Sequence, residues 1–148
     1  MPKKLMDLDT LKGLLGLEKQ AFIERYGIKA SQVRSDAQYE RMAHVDDIYN
    51  PELSPAHFFF QRAKLALIYM GDTTVLSSLN AETIKARFGG DGVELRSRAG
   101  KTSNLHVYPE QGVAISIGDE VDFFELFPPM SINDYKHKIY ENIESFRK

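Results

Sequence analysis

The sequence contains no cysteine and no tryptophan. Without a thiol there is no disulfide, no thiolate metal site, no iron–sulfur cluster and no cysteine nucleophile. That absence suits a reducing compartment, and the chain is expected to be cytoplasmic. Long apolar runs are missing as well. No stretch approaches the roughly 18 apolar residues of a membrane-spanning helix. Asp7 and Asp9 interrupt the opening segment, so no signal peptide and no membrane contact are expected. Nor is there an excess of either charge: 19 Lys and Arg against 21 Asp and Glu leave a net −2. Such a balance gives no general attraction to nucleic acid, which is not expected as a partner.

Complete catalytic and metal motifs are lacking too. His44, His57, His106 and His137 include no pair at the i, i+4 spacing of a helical zinc site. No GxSxG nucleophile elbow occurs. Gly100-Lys101-Thr102 resembles the end of a phosphate-binding loop, but Leu95 stands where the motif needs its first glycine. A polar hairpin turn accounts for it better. No catalytic residue, metal or cofactor is therefore assigned.

What remains is an ordinary globular composition, 43% hydrophobic and 27% charged over 148 residues, which points to one domain spanning 1–148. Apolar residues recur at helical spacing through Leu11, Leu14, Leu15, Phe22, Ile23 and Tyr26. Gly16 predicts a break there and Gly27 a stop. Residues 38–45 read as strand and 46–55 as a loop, because two prolines and two Asp residues suit neither helix nor strand. Residues 58–60 and 65–70 read as strands, with Gly71-Asp72 turning into a partner strand at 73–76. Asn80 caps a helix over 81–88. Strands follow at 93–98, 105–108, 113–117 and 121–127, the last two joined by Gly118-Asp119. Ser131 caps a C-terminal helix over 131–147.

Two stretches match at a constant offset. Leu17-Glu18-Lys19-Gln20-Ala21-Phe22-Ile23-Glu24-Arg25-Tyr26-Gly27 aligns with Leu79-Asn80-Ala81-Glu82-Thr83-Ile84-Lys85-Ala86-Arg87-Phe88-Gly89. Leu, Arg and Gly coincide, and Tyr26 and Phe88 are like for like. Each copy leads towards strands and a Gly-Asp turn, which suggests an internal repeat, 9–78 and 79–130. The expected fold is α+β: two tandem helix–antiparallel-strand units forming a mainly antiparallel sheet, with helices packed on it and a C-terminal helix.

On those residues the first copy, from Gly16 to Gly27, resembles the helix of the β-lactamase-inhibitor-protein-like and outer-membrane-assembly-lipoprotein-like modules. Those modules place a short helical portion before antiparallel strands, and the inhibitor carries two in tandem. The resemblance covers about a dozen residues in each half. The proline that commonly follows the closing glycine is absent, with Ile28 and Gly90 in its place. The resemblance implies architecture alone and no functional residues.

Two surface constellations stand out. Asp119, Glu120, Asp122 and Glu125 make the last hairpin acidic, and Asp46, Asp47 and Tyr49 lie on the predicted loop. Together they suit a basic protein partner, such as a toxin domain restrained by an immunity-type inhibitor. A solvated, aggregation-blocking sheet edge is the plainer explanation of the hairpin. Arg96, Arg98, His106 and Tyr108 form the alternative set, a small-ligand or enzyme site between the two units; cross-strand ion pairs would account for the arginines without it. A third possibility is a structural homodimer or other homo-oligomer, sealed through exposed aromatic strands such as Phe58-Phe59-Phe60. A cleft with converging histidine and arginine favours the ligand site, and a flat or grooved acidic surface favours the inhibitor.

Overall fold

The computed structural model describes residues 8–72 and 80–140. β1 (Val33–Tyr39), β2 (Met42–Ile48), β3 (His57–Gln61) and β4 (Lys64–Met70) form one antiparallel meander. β5 (Val93–Arg96), β6 (Asn104–Tyr108), β7 (Val113–Ile117) and β8 (Val121–Leu126) form a second. The meanders join through β4 and β8, with Ile68 opposite Leu126 and Met70 opposite Phe124. The result is one continuous sheet in the order β1-β2-β3-β4-β8-β7-β6-β5.

Helices α1 (Leu8–Leu14) and α2 (Lys19–Tyr26) precede the first meander, α3 (Ala81–Phe88) precedes the second, and α4 (Ile132–Lys138) follows it. α2 and α3 occupy the matched positions of the two aligned stretches. Each ends at a left-handed glycine, Gly27 at φ 61° and Gly89 at φ 92°, whose amide returns to the carbonyl four residues earlier. The Asn80 side chain accepts from the amides of Glu82 and Thr83 at 2.8 and 3.2 Å, as its sequence position predicts. Ser131 caps α4 through the Asp134 amide at 3.1 Å.

The sheet is covered on both sides. Phe58, Phe60, Ile68, Met70, Ile115 and Phe124 face α1 and α2, where they enclose Leu11, Leu14 and Phe22. Val45, Phe59, Leu67, Val107 and Phe123 point the other way, towards Tyr135 of α4 and Ile139 just beyond it. Strand alternation thus splits Phe58-Phe59-Phe60 between two cores, and neither face of that run is left to seal a homodimer.

Several sequence expectations shift. The 38–45 segment is the turn of the β1–β2 hairpin rather than one strand. Its reversal uses Glu40 at φ 49° instead of a glycine, and β1 is largely solvent-facing, so neither turn chemistry nor apolar alternation announced it. The predicted loop begins late, because Asp46 and Asp47 belong to β2 opposite Phe60 and Phe59. Gly71-Asp72 follows β4, whose edges are already taken by β3 and β8, so it is not the counterpart of the β7–β8 turn at Gly118-Asp119. Residues 73–76 lie outside the described residues, as does the end of the predicted C-terminal helix beyond 140. β5 stops at Arg96, two residues early, and Gly100-Lys101-Thr102 falls in the loop to β6.

The turn after β6 holds the tightest backbone approach. Gly112, at φ 70°, accepts from the Phe127 amide at 2.9 Å, and a Cβ there would collide with the Phe127 carbonyl oxygen. Gly27 is also left-handed but has open space beside its Cβ direction. Gly112→Ala is therefore expected to cost about 2–3 kcal/mol and Gly27→Ala about 1 kcal/mol, read by urea denaturation. Equal losses would contradict the close approach.

Candidate functional site

The α4 side of the sheet is strongly curled. β1 and β8 stand four strand spacings apart, about 19 Å on a flat sheet. Yet the Tyr39 hydroxyl at the end of β1 donates to Glu125 Oε2 on β8. Register shifts at residues 34–38, 59–60 and 116–117 let the strands bend. Arg98, in the loop after β5, reaches in from the opposite edge. Its guanidinium lies over Tyr39, Tyr69 and Phe123 at 5.0, 5.4 and 4.5 Å from the ring centroids. It pairs with Glu40 Oε1 at 2.8 Å and stands 3.9 Å from Glu125 Oε2. Tyr135 of α4 donates to the other Glu125 oxygen at 2.5 Å. Both edge strands and the C-terminal helix are thus tied to one carboxyl group at the middle of the sheet.

Burial raises the Glu125 pKa; the hydroxyls of Tyr135 and Tyr39 and the charge of Arg98 offset this in part. Burial, reinforced by Glu125, also holds Tyr39 and Tyr135 well above the ordinary tyrosine value. Burial works against the Arg98 charge, but Tyr39, Glu40 and Glu125 outweigh it and keep the group protonated. The network is a clamp for the fold, since Tyr39 and Tyr135 direct their hydroxyls at Glu125 and Arg98 reaches Tyr39, Glu40 and Glu125.

The structure distributes the acidic candidates rather than gathering them. Glu125 is fully buried, and β8, its strand, is central and not an edge. Asp46 pairs with Lys19 at 3.0 Å, and Asp47 accepts from His57 Nδ1 at 3.0 Å. Tyr49 stacks on that same imidazole, ring centroids 4.3 Å apart. Asp122 accepts from Ser116 at 2.9 Å. Asp119 and Glu120 are exposed in the β7–β8 turn. From the shared row of Ile48, Phe58, Ile68 and Leu126, Asp46 and Asp119 lie in opposite directions along the strands, so the two halves of the expected acidic face do not meet.

The alternative ligand set does not converge either. Arg98 lies on the α4 side, whereas His106 and Tyr108 point to the α1–α2 side. His106 Nδ1 meets the Asp91 carbonyl at 2.9 Å, and the Tyr108 hydroxyl donates to the Gly90 carbonyl. A cavity between the helices of the two units, about 140 Å³, is lined by Leu8, Leu11, Ile84, Phe88 and other apolar side chains together with Arg87, and by none of those four residues. Among the described residues no group of three His, Asp or Glu could hold a metal ion, and no helix is long and apolar enough to cross a membrane.

A different surface is assembled around α4. A trough of about 610 Å³ lies between α4 and β5, with Arg41, Arg96, Lys136 and His137 on its walls and Glu94 as the acidic member. A second, of about 400 Å³, flanks the other side of α4 and shares Arg41 and His137, adding Arg62 and Lys138. Arg41, Arg62, Lys136, His137 and Lys138 are exposed. Arg41 is held in place by its Nε, which donates to the His137 carbonyl at 3.2 Å, and by its amide on the Ile139 carbonyl. The Lys136-His137-Lys138 run was visible in the sequence. Its meeting with Arg41 and Arg62 was not, because those residues sit in two hairpin turns far away in the chain.

These features define the class: an α+β protein with one curled, eight-stranded antiparallel sheet, helices on both faces, and a cationic surface around its last described helix. No protein-family model, no curated protein and no solved structure matches this chain.

Proposed function

We propose that the chain is a non-enzymatic protein-binding module whose working surface is the cationic side around α4 and whose partner is acidic. The observation that carries this reading is the pair of troughs sharing Arg41 and His137, five exposed cationic or titratable side chains on a chain of net charge −2. Fixed cations beside open troughs steer and orient an acidic partner. The polar groups best suited to chemistry, Arg98, Glu40 and Glu125, are committed to holding the fold. Two helix-then-meander units in tandem are the arrangement that an inhibitor-like module would present. An immunity-type role against a basic toxin would have to rest on Asp119 and Glu120, since the other acidic candidates are buried or internally paired, and the cationic side is the stronger surface.

A second reading has its own observation. Arg41, Lys136 and His137 line one trough with Arg96, a set of cationic residues that suits a small anion. The trough is open along its length, however, and would leave a small ligand mostly in water, whereas tight small-molecule sites enclose theirs.

Calorimetric titration separates the readings. Poly-L-glutamate is expected to bind at low salt and to be released as salt rises, and Lys136→Glu with Lys138→Glu to weaken it by about tenfold or more at unchanged melting temperature. Binding of poly-L-lysine in its place would restore the basic-partner reading. Inorganic phosphate binding as tightly as the polymer would favour the small-anion site.

A further inference from the structure

The aligned helices α2 and α3 fill their places on the sheet unequally. Phe22 of α2 is fully buried, and its ring rests on Phe58 and Phe60 of β3, the third strand of the first meander. At the aligned position α3 carries Ile84, and the third strand of the second meander turns Val113 and Ile115 to the same side of the sheet. Three phenyl rings in one unit thus stand against three aliphatic side chains in the other. α2 buries Phe22 completely, whereas α3 has no fully buried residue.

The missing bulk leaves a space. The cavity of about 140 Å³ lies between α1 and α3. Its floor is two cross-strand pairs, Val113 with Leu126 and Ile115 with Phe124, and Leu11, Ile84 and Phe88 stand around them. Protein interiors ordinarily hold few voids larger than a water molecule. A water molecule needs several polar partners, whereas an apolar cavity of about 150 Å³ lined by Leu, Ile and Phe stays dry and admits benzene. Among the described residues on this wall only Arg87 is charged. It is exposed, and its guanidinium is engaged by Asp9 at 3.5 Å and lies 5.6 Å from the centroid of the Phe88 ring. Arg87 therefore marks where the wall reaches solvent. An exposed ion pair of that length contributes little and parts readily to let a small molecule through.

We propose that this cavity is a binding site for an uncharged apolar molecule the size of a single benzene ring. The occupant takes the place that the Phe22 ring fills in the first unit and tightens α3 onto the sheet. It carries no charge, because the wall is apolar apart from Arg87, which already has Asp9 and Phe88. The site lies on the α1–α2 side of the sheet, away from the α4 surface, and does not depend on the binding role proposed above.

Benzene is the probe, with benzoate as its charged counterpart and p-xylene as a larger ring. Benzene at about ten times its dissociation constant is expected to raise the melting temperature of the intact chain by about 3–6 °C. It should shift the methyl signals of Ile84, Val113, Ile115 and Leu126 and slow amide exchange in α3 more than in α4. Benzoate should bind at least about tenfold more weakly. Ile84→Phe supplies the missing ring, so it should abolish the response to benzene. Ile84→Ala enlarges the space and should gain binding of p-xylene, a readout that serves even where Ile84→Phe does not fold. Absence of benzene binding, methyl shifts confined to other residues, or an undiminished response in Ile84→Phe overturns the proposal. So does an Ile84→Ala variant that gains no p-xylene binding. Benzoate binding as tightly as benzene overturns the uncharged ligand in favour of an anion held by Arg87.

Discussion

Glu125→Ala is expected to destabilise the protein by about 3–5 kcal/mol, a large part of the 5–15 kcal/mol typical of a domain. The side chain is completely buried and its two oxygens hold the hydroxyls of Tyr39 and Tyr135, with Arg98 Nη1 3.9 Å away. Alanine leaves those donors facing a cavity. It also cuts a polar junction of β1, β8 and α4, so weaker α4 docking should accompany the drop in stability. Glu125→Gln keeps the shape and one acceptor oxygen and should cost less. Urea denaturation of the two variants measures the difference; an alanine loss below about 1 kcal/mol would show that the clamp contributes little.

The same carboxyl makes stability depend on pH. Burial raises its folded pKa above that of the unfolded chain. At low pH both states hold the proton. As pH rises past the ordinary carboxylate value, the unfolded chain releases its proton while the folded protein still binds one. Stability therefore falls across the window between the ordinary and the raised value, then levels off. The Glu125→Gln variant should lack that fall. A second decline begins above pH 10.0, the ordinary tyrosine value, where Tyr39 and Tyr135 keep their protons in the folded state and lose them on unfolding. Identical pH profiles for the wild type and Glu125→Gln would remove the carboxyl from the account.

Phe22→Ala is the second change expected to cost about 3–5 kcal/mol. Phe22 is 0% exposed and its ring lies 4.9 Å from Phe58 and Tyr26 and 5.3 Å from Phe60, so it anchors α2 to β3. Ile84 holds the matching place on α3 but is only half-buried, beside the small apolar cavity. Ile84→Ala should cost less, about 1–2 kcal/mol. Thermal or urea unfolding of both variants compares the two helices directly, and a costlier Ile84→Ala would show that α3 rather than α2 carries the core.

Most helices and strands were legible because their signals are local. Gly27 and Gly89 stop helices through their own conformational freedom, Asn80 and Ser131 cap through atoms two or three residues away, and the strands from 57 to 70 and from 104 to 126 carry dense β-branched and aromatic residues. β1 was partly missed because it is an exposed edge whose sequence, Val-Arg-Ser-Asp-Ala-Gln-Tyr, shows little apolar alternation. Asp122 and Glu125 stand at positions of opposite parity on one strand, which by itself implies that one of them faces inward. Which partners an inward carboxylate finds depends on Tyr39 and Tyr135, 86 and 10 residues away.

The sequence by itself determined the α+β class, the break after α1, the capped helices and the β7–β8 hairpin, since each follows from propensity and turn chemistry within a few residues. Only the tertiary structure decided that the two meanders join through β4 and β8 into one sheet, that its edges curl towards each other over Glu125, and that Arg41 and Arg62 come to stand beside Lys136, His137 and Lys138. Those outcomes depend on which distant surfaces bury each other, and the free energy of burial belongs to pairs of surfaces rather than to any single segment.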